Sequence, residues 1–228
     1  MGIENSKREI IILAKSRKHS AYCIAGIDKK NNQLVRVITE NEDIHYAVTE
    51  NQIQDSRGKV ANLYDDIVIV ASKNKIDIPH QPENIMLDTS YYITNNGSFR
   101  KDHLRKIVSS LSNKYDYIFY NSKRYLSQND IDKINEADRH SLEIINPQHL
   151  IIRIKDNEKR TLIGNIKYNG IWNNNISITD KEFENKCYNE IINSEDRQMR
   201  IDNPFLVISL GEEYKGNYYK LIACVLNL

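Results

Sequence analysis

Residues 8–40 read REIIILAKSRKHSAYCIAGIDKKNNQLVRVITE, and their reading decides the fold. Three apolar runs are separated by short polar breaks, the second of them KKNN at 29–32. In the middle run Tyr22, Ile24 and Gly26 fall on one face, and Cys23 and Ala25 on the other. That period of two belongs to a strand. Short apolar runs with Lys/Asn turns between them predict an antiparallel meander. Working outward, DDIVIVAS (65–72) is another strand, rich in β-branched residues. The intervening TENQIQDSRGKVANLY (49–64) reads as a short helical turn closing into a loop at Gly58.

Further along the pattern changes. Leu104, Ile107, Val108 and Leu111 recur at helical spacing from Lys101 onward. SQNDIDKINEADRHSLEII (127–145) is a second helical stretch, with Ser127 or Asp130 as its N-cap and Pro147 as its stop. Beyond Pro147 the chain returns to strands. HLIIRIKD and KRTLIGNIKYNG flank a turn at 157–158 as a hairpin, and IWNNNISITD runs into the helix DKEFENKCYNEII, capped by Thr179 or Asp180. PFLVISLGE and YYKLIACVLN close the chain as a hairpin around Gly216. The class is mostly β with α insertions (α+β). It divides into a first β module at 7–100, a helical connector at 101–146 and a second β module at 147–228.

Composition narrows the function. Hydrophobic residues make up 40 % of the 228, enough for a core. Lys and Arg total 32 against 31 for Asp and Glu, a net charge of +1. This excludes a uniformly basic nucleic-acid binder but not a local basic groove. Cys23, Cys187 and Cys224 are odd in number and widely spaced, with no CxxC pair, so a reducing cytoplasm is expected rather than a disulfide scaffold. The apolar run 10–14 is too short for a signal sequence or a membrane span. GxSxG, HExxH, P-loop and GxGxxG patterns are missing, so no catalytic residue, metal or cofactor is expected.

Four stretches carry candidate binding chemistry. AKSRKHS places Lys15, Arg17 and Lys18 with Ser16, His19 and Ser20 at a strand corner: phosphate ligands or a solvated turn. Arg36, between aliphatic neighbours in LVRVI, needs an acceptor, from the protein or from a phosphate. KYDYIFYNSKRY (114–125) interleaves Tyr115, Tyr117, Tyr120 and Tyr125 with Lys114, Lys123 and Arg124, a pattern that suits base stacking or half-buried packing. In HQPEN (80–84), Pro79 and Pro82 brace His80, Gln81, Glu83 and Asn84, which either grip a base or sugar or satisfy their own loop.

Read in order, AKSRKHSAYCIAGID, VRVI, HQPEN, ISITDKEFE, ISLGEEY and YYKLIA resemble the prokaryotic dual OB domain-containing family, from about Lys7 to Ile222. The resemblance implies two OB-like small β-barrels joined by the helical segment. It also implies nucleic-acid or nucleotide binding in a bacterial defence or mobile-element setting, without enzymatic activity. Carried over, the binding residues are Lys15, Ser16, Lys18 and Arg36, then His80, Gln81 and Asn84, then Thr179, Asp180, Ser209, Glu212 and Lys220.

The function expected is non-catalytic binding of nucleic acid, single-stranded by preference, with the cationic corner and HQPEN meeting on one open surface. Two alternatives stay open. One is a sensor of a small nucleotide-type ligand; the other is a nucleotide-processing enzyme using His80 with Asp180 or Glu212. A protein partner encoded nearby is compatible with each, and the oligomeric state stays open.

Overall fold

The computed structural model describes residues 6–18, 20–155 and 161–228. The chain forms two compact units, Met1–Ile107 and Val108–Leu228. The first is built on β1 (Lys7–Lys18), β2 (Ala21–Asp28), β3 (Gln33–Ile38), β4 (Asp65–Val70), β5 (Asn84–Met86) and β6 (Thr94–Ser98). Their order across the sheet is β5-β3-β2-β1-β4-β6, so the meander expected from residues 8–40 is present.

β1 is long enough to serve two neighbours. Lys7–Ile11 pair with β4, and Ile10–Lys18 pair with β2 across a bulge between Ile12 and Ala14. A bulge of this kind bends and twists the strand, which curls the sheet around its apolar face. Ile10, Ile12, Ile24, Val37, Ile67 and Ile69 line that face, each 2 % exposed or less. Each such side chain contributes about 1.5–3 kcal/mol by leaving water. Gly26 sits where β2 crosses β1. A Cβ there would lie 2.4 Å from the Ile11 carbonyl oxygen, so only glycine permits the approach.

The second unit holds β7 (Tyr125–Ser127), β8 (Leu142–Ile145), β9 (His149–Ile154), β10 (Leu162–Tyr168), β11 (Ile171–Ile178), β12 (Gln198–Asp202), β13 (Phe205–Tyr214) and β14 (Asn217–Leu226). Their order is β12-β9-β10-β11-β14-β13-β8, with β7 also on β14. Two-residue turns join β10 to β11 at Asn169–Gly170 (φ 48° and 79°) and β13 to β14 at Lys215–Gly216 (φ 54° and 76°). Positive φ at both central positions matches the strand twist.

The two sheets share one plan. β4-β1-β2-β3-β5 and β12-β9-β10-β11-β14 have the same order, antiparallel except at the last joint, which is parallel in both. A helical element follows the third strand each time: 3-10 turns at Glu42–Ile44 and Asn51–Ile53 in the first unit, the helix α3 (Lys181–Asn193) in the second. This is the partly open, five-stranded arrangement implied by the resemblance. Two OB-like small β-barrels were expected; no ladder closes either sheet among the described residues. In the first unit a single antiparallel bridge, Ala71–Leu87, joins the chain after β4 to the chain after β5.

The stretch expected as a helical connector needs correction. α1 (Lys101–Leu111) is present, but α2 is only Gln128–Asp132, held by a capping box between Ser127 and Asp130. The rest of that stretch supplies the 3-10 turns Ile118–Tyr120 and Glu136–Asp138 and the strands β7 and β8. Ser141–Ile145 are buried without interruption, and Leu142–Ile145 pair with β13. A contiguous buried run suits a strand covered on both faces, not an amphipathic helix.

Candidate nucleic-acid interface

Strand register assigns each candidate side chain to a face, because cross-strand partners point the same way. Lys15 pairs with Ile24, and Ile24 with Val37, so Lys15 points inward at the end of the apolar face. Its Nζ donates to the Ala61 carbonyl at 2.8 Å and lies 4.6 Å from the centre of the Tyr22 ring. Burial pushes its pKa below the usual lysine value, with Glu50 and Asp65 pulling it back. Ser16 is buried opposite Cys23. Lys18 ends β1 opposite Ala21; its side chain, like the whole of His19, lies outside the described residues.

Arg36 points the other way. It pairs with Ala25 and Asn84 and is 7 % exposed. The HQPEN segment is welded to it: the Arg36 amide donates to the Glu83 carbonyl at 3.1 Å. The Asn84 amide donates to the Gln81 carbonyl, and the Asn84 side chain donates to Gln81 Oε1 at 3.3 Å. Gln81 is buried and His80 half-buried. Gln81 and Asn84 thus bond within the segment, which docks β5 on β3. Lys15 and Arg36 occupy opposite faces of one sheet, whereas Ser16, opposite Cys23, lies on the Arg36 side. The outward side of β2 and β3, where an OB unit holds its ligand, is closed at Ala25, Ile27, Arg36 and Ile38, each 7 % exposed or less.

In the second unit several carried-over residues serve the backbone. Thr179 donates to the Ile222 carbonyl. Asp180 caps α3, accepting from the Phe183 amide at 3.0 Å through one oxygen and from the Val225 amide at 3.2 Å through the other. Ser209 lies on β13 opposite Leu221, and Glu212 in the β13 bulge between Leu210 and Glu213. Lys220 is 1 % exposed; its ammonium donates to the Ile118 and Asn121 carbonyls and to Asn121 Oδ1. Burial brings its pKa down to about 7, against an upward pull from Glu143. Of the tyrosine-rich stretch, Tyr115 stacks on His140 at 4.4 Å, and Tyr120 hydrogen-bonds the same imidazole. Cys187 and Cys224 are buried, and burial raises both thiol pKa values.

The outward side of β9–β12 differs from its counterpart in the first unit. Leu150, Ile152, Ile166 and Ile176 turn inward to the core. The alternate residues form outward rows: Gln198–Arg153–Ile163–Ser177, Arg200–Ile151–Asn165 and Asp202–His149–Lys167–Trp172. Arg153 and Arg200 are exposed, Lys167 and His149 half-buried, and Trp172 is 40 % exposed. Arg153 donates to Asn175 Oδ1 at 2.6 Å, and the Lys167 ammonium lies 6.0 Å from the centre of the Trp172 ring. Asp202 tempers the charge. Arg200 and then His149 hold its carboxyl below the usual range. Three cationic side chains, one imidazole and one indole on one face offer phosphate donors beside a stacking surface. The alternation in HLIIRIKD, with His149, Ile151 and Arg153 on the same side, is the sequence signal for this face.

The family described as dual OB-containing domain matches residues 8–225. No curated protein matches the chain. Among solved structures, one described as "Structural mimicry for functional antagonism" is similar at 14 % identity and TM-score 0.30, over 94 % of this chain and 87 % of that one. The Ifi202 HINa domain in complex with 20-base-pair double-stranded DNA is similar at 12 % identity and TM-score 0.28, over 93 % and 90 %.

Proposed function

This chain belongs to the dual OB-containing domain family, and on that premise we propose that it binds single-stranded nucleic acid through the outward face of β9–β12. The observation that carries the reading is the register that sets Arg153, Arg200 and Lys167 on one face with the exposed Trp172. The cations hold phosphates without regard to sequence, and the indole stacks on a base. A near-neutral chain with a local basic face suits short strands better than long polyanions. The bacterial defence or mobile-element setting implied by the resemblance fits a protein that holds single strands without reading them.

Trp172 is the sole tryptophan, so its emission reports directly on the face. Titration with a short oligonucleotide should quench it, and log affinity should fall linearly as salt rises from roughly 50 to 300 mM. Replacing Arg153 and Arg200 together with Ala should lower that slope by about one unit or more. Salt-independent binding, or a slope that the double variant leaves intact, would sink the reading.

A small-nucleotide sensor finds less support. A cleft of about 520 Å³ opens near the ends of β3, β4 and β5, lined by Thr39, Glu40, Gln52, Asn74 and Asp88 among others. Its charged lining residues are acidic, which repels the phosphates of a nucleotide.

A further inference from the structure

The outward face described above does not end at β11. Ser177 pairs with Leu221 on β14, so Leu221 continues the row that begins at Gln198. Two residues back along β14, Tyr219 shares that side, because Tyr218 and Lys220 on either side of it are buried. Tyr219 pairs with Tyr125 on β7, their rings 5.7 Å apart, and lies 6.4 Å from the ring of Tyr214 at the end of β13. The Arg124 guanidinium stands 5.5 Å from the centre of the Tyr219 ring, and the Lys215 ammonium 5.4 Å from that of Tyr214.

Packing accounts for part of this cluster only. Tyr125 and Tyr219 are half-buried, but Tyr214 is 61 % exposed at the hairpin tip, where its ring gains little from burial. The acid nearest in sequence, Glu213, turns its carboxylate to the Gly216 amide and so tightens the turn. The frame beneath is firm: the Lys220 amide donates to the Arg124 carbonyl at 2.9 Å, and its ammonium holds the loop at Ile118 and Asn121. Exposed rings flanked by cations on a fixed frame are what unpaired bases stack upon, and every base offers a π-face.

We propose that Tyr214, Tyr219 and Tyr125, with Arg124 and Lys215, form a second base-stacking subsite for single-stranded nucleic acid. A strand anchored at Trp172 continues across β11 and β14 to reach it. This rests on the binding function proposed above and adds a location beyond the outward face of β9–β12. Lys220 is a positioning residue for the subsite, not a contact.

The test uses the full chain and an oligonucleotide of about 12 nucleotides, within the range of lengths such folds hold. Tyr214→Ala should weaken binding about ten-fold, the loss of one stacked base, while Tyr214→Phe keeps it. Trp172 quenching at saturation should be unchanged in both, since the near end of the track is untouched. With 5-iodouracil in the strand, photocrosslinks should map to Tyr214 or Tyr219 as well as to Trp172. Wild-type affinity in Tyr214→Ala, with crosslinks confined to Trp172, overturns the subsite and leaves the binding function standing. A wild-type protein that neither quenches nor crosslinks overturns both.

Discussion

Lys220 is the residue where burial and charge conflict most. Its ammonium has three acceptors, yet removal from water brings its pKa to about 7, far below the value near 10.4 of an unfolded chain. The sign follows from proton binding. Between about pH 7 and 10 the unfolded chain holds the proton more tightly, so stability rises with pH through that window. Urea unfolding should show wild type gaining roughly 3 kcal/mol relative to Lys220→Met between about pH 7 and 9.5. A constant difference between the two proteins would refute the assignment. The sequence hints at none of this: YYKLIA reads as a strand, with Lys220 carried over as a binding residue. Only the loop at Ile118–Asn121, more than ninety positions away in sequence, turns it into a buried donor.

Elements were legible where their signals were local. Meander, final hairpin and α3 follow from alternation, turn residues and a cap, all read within a few positions. Asp180 illustrates the last: its carboxylate takes the Phe183 amide, and its other oxygen takes the Val225 amide. Asp180→Ala should therefore lower stability by about 1–2 kcal/mol, at the upper end for a cap because a second amide loses its acceptor. Chemical denaturation would measure it, and a loss of a few tenths would mean that the link to β14 carries no weight. The elements that escaped prediction rest on distant partners. β6, TNNGS, has neither β-branched alternation nor apolar content and exists because β4 offers an edge. β8 reads as the tail of a helix until β13 is there to receive it. The candidate site was missed for the same reason. Arg153, Arg200, Lys167 and Trp172 come from four strands, and only register brings them into line.

At the scale of the whole chain, two units with one strand order have diverged in what their equivalent faces present. The outward side of β2–β3 is apolar and closed around Arg36, whereas that of β9–β12 carries the exposed Arg153, Arg200 and Trp172 around Ile151 and Ile163. Arginines on the two faces should behave oppositely. Arg36→Ala should cost about 2 kcal/mol of stability, as buried polar groups do, and leave the salt slope of binding unchanged. Arg153→Ala should flatten that slope with little effect on the melting temperature. Reversal of the two outcomes would move the binding surface to the first unit. The thiols divide along the same boundary. Both sulfurs of the second unit, Cys187 and Cys224, are shut away and slow to ionise, while Cys23 on β2 keeps partial access to solvent. An alkylating reagent therefore addresses the two halves unequally. It marks the first half of the intact molecule and reaches the second only as that core comes apart, so the chain carries its own chemical gauge of which half opens first.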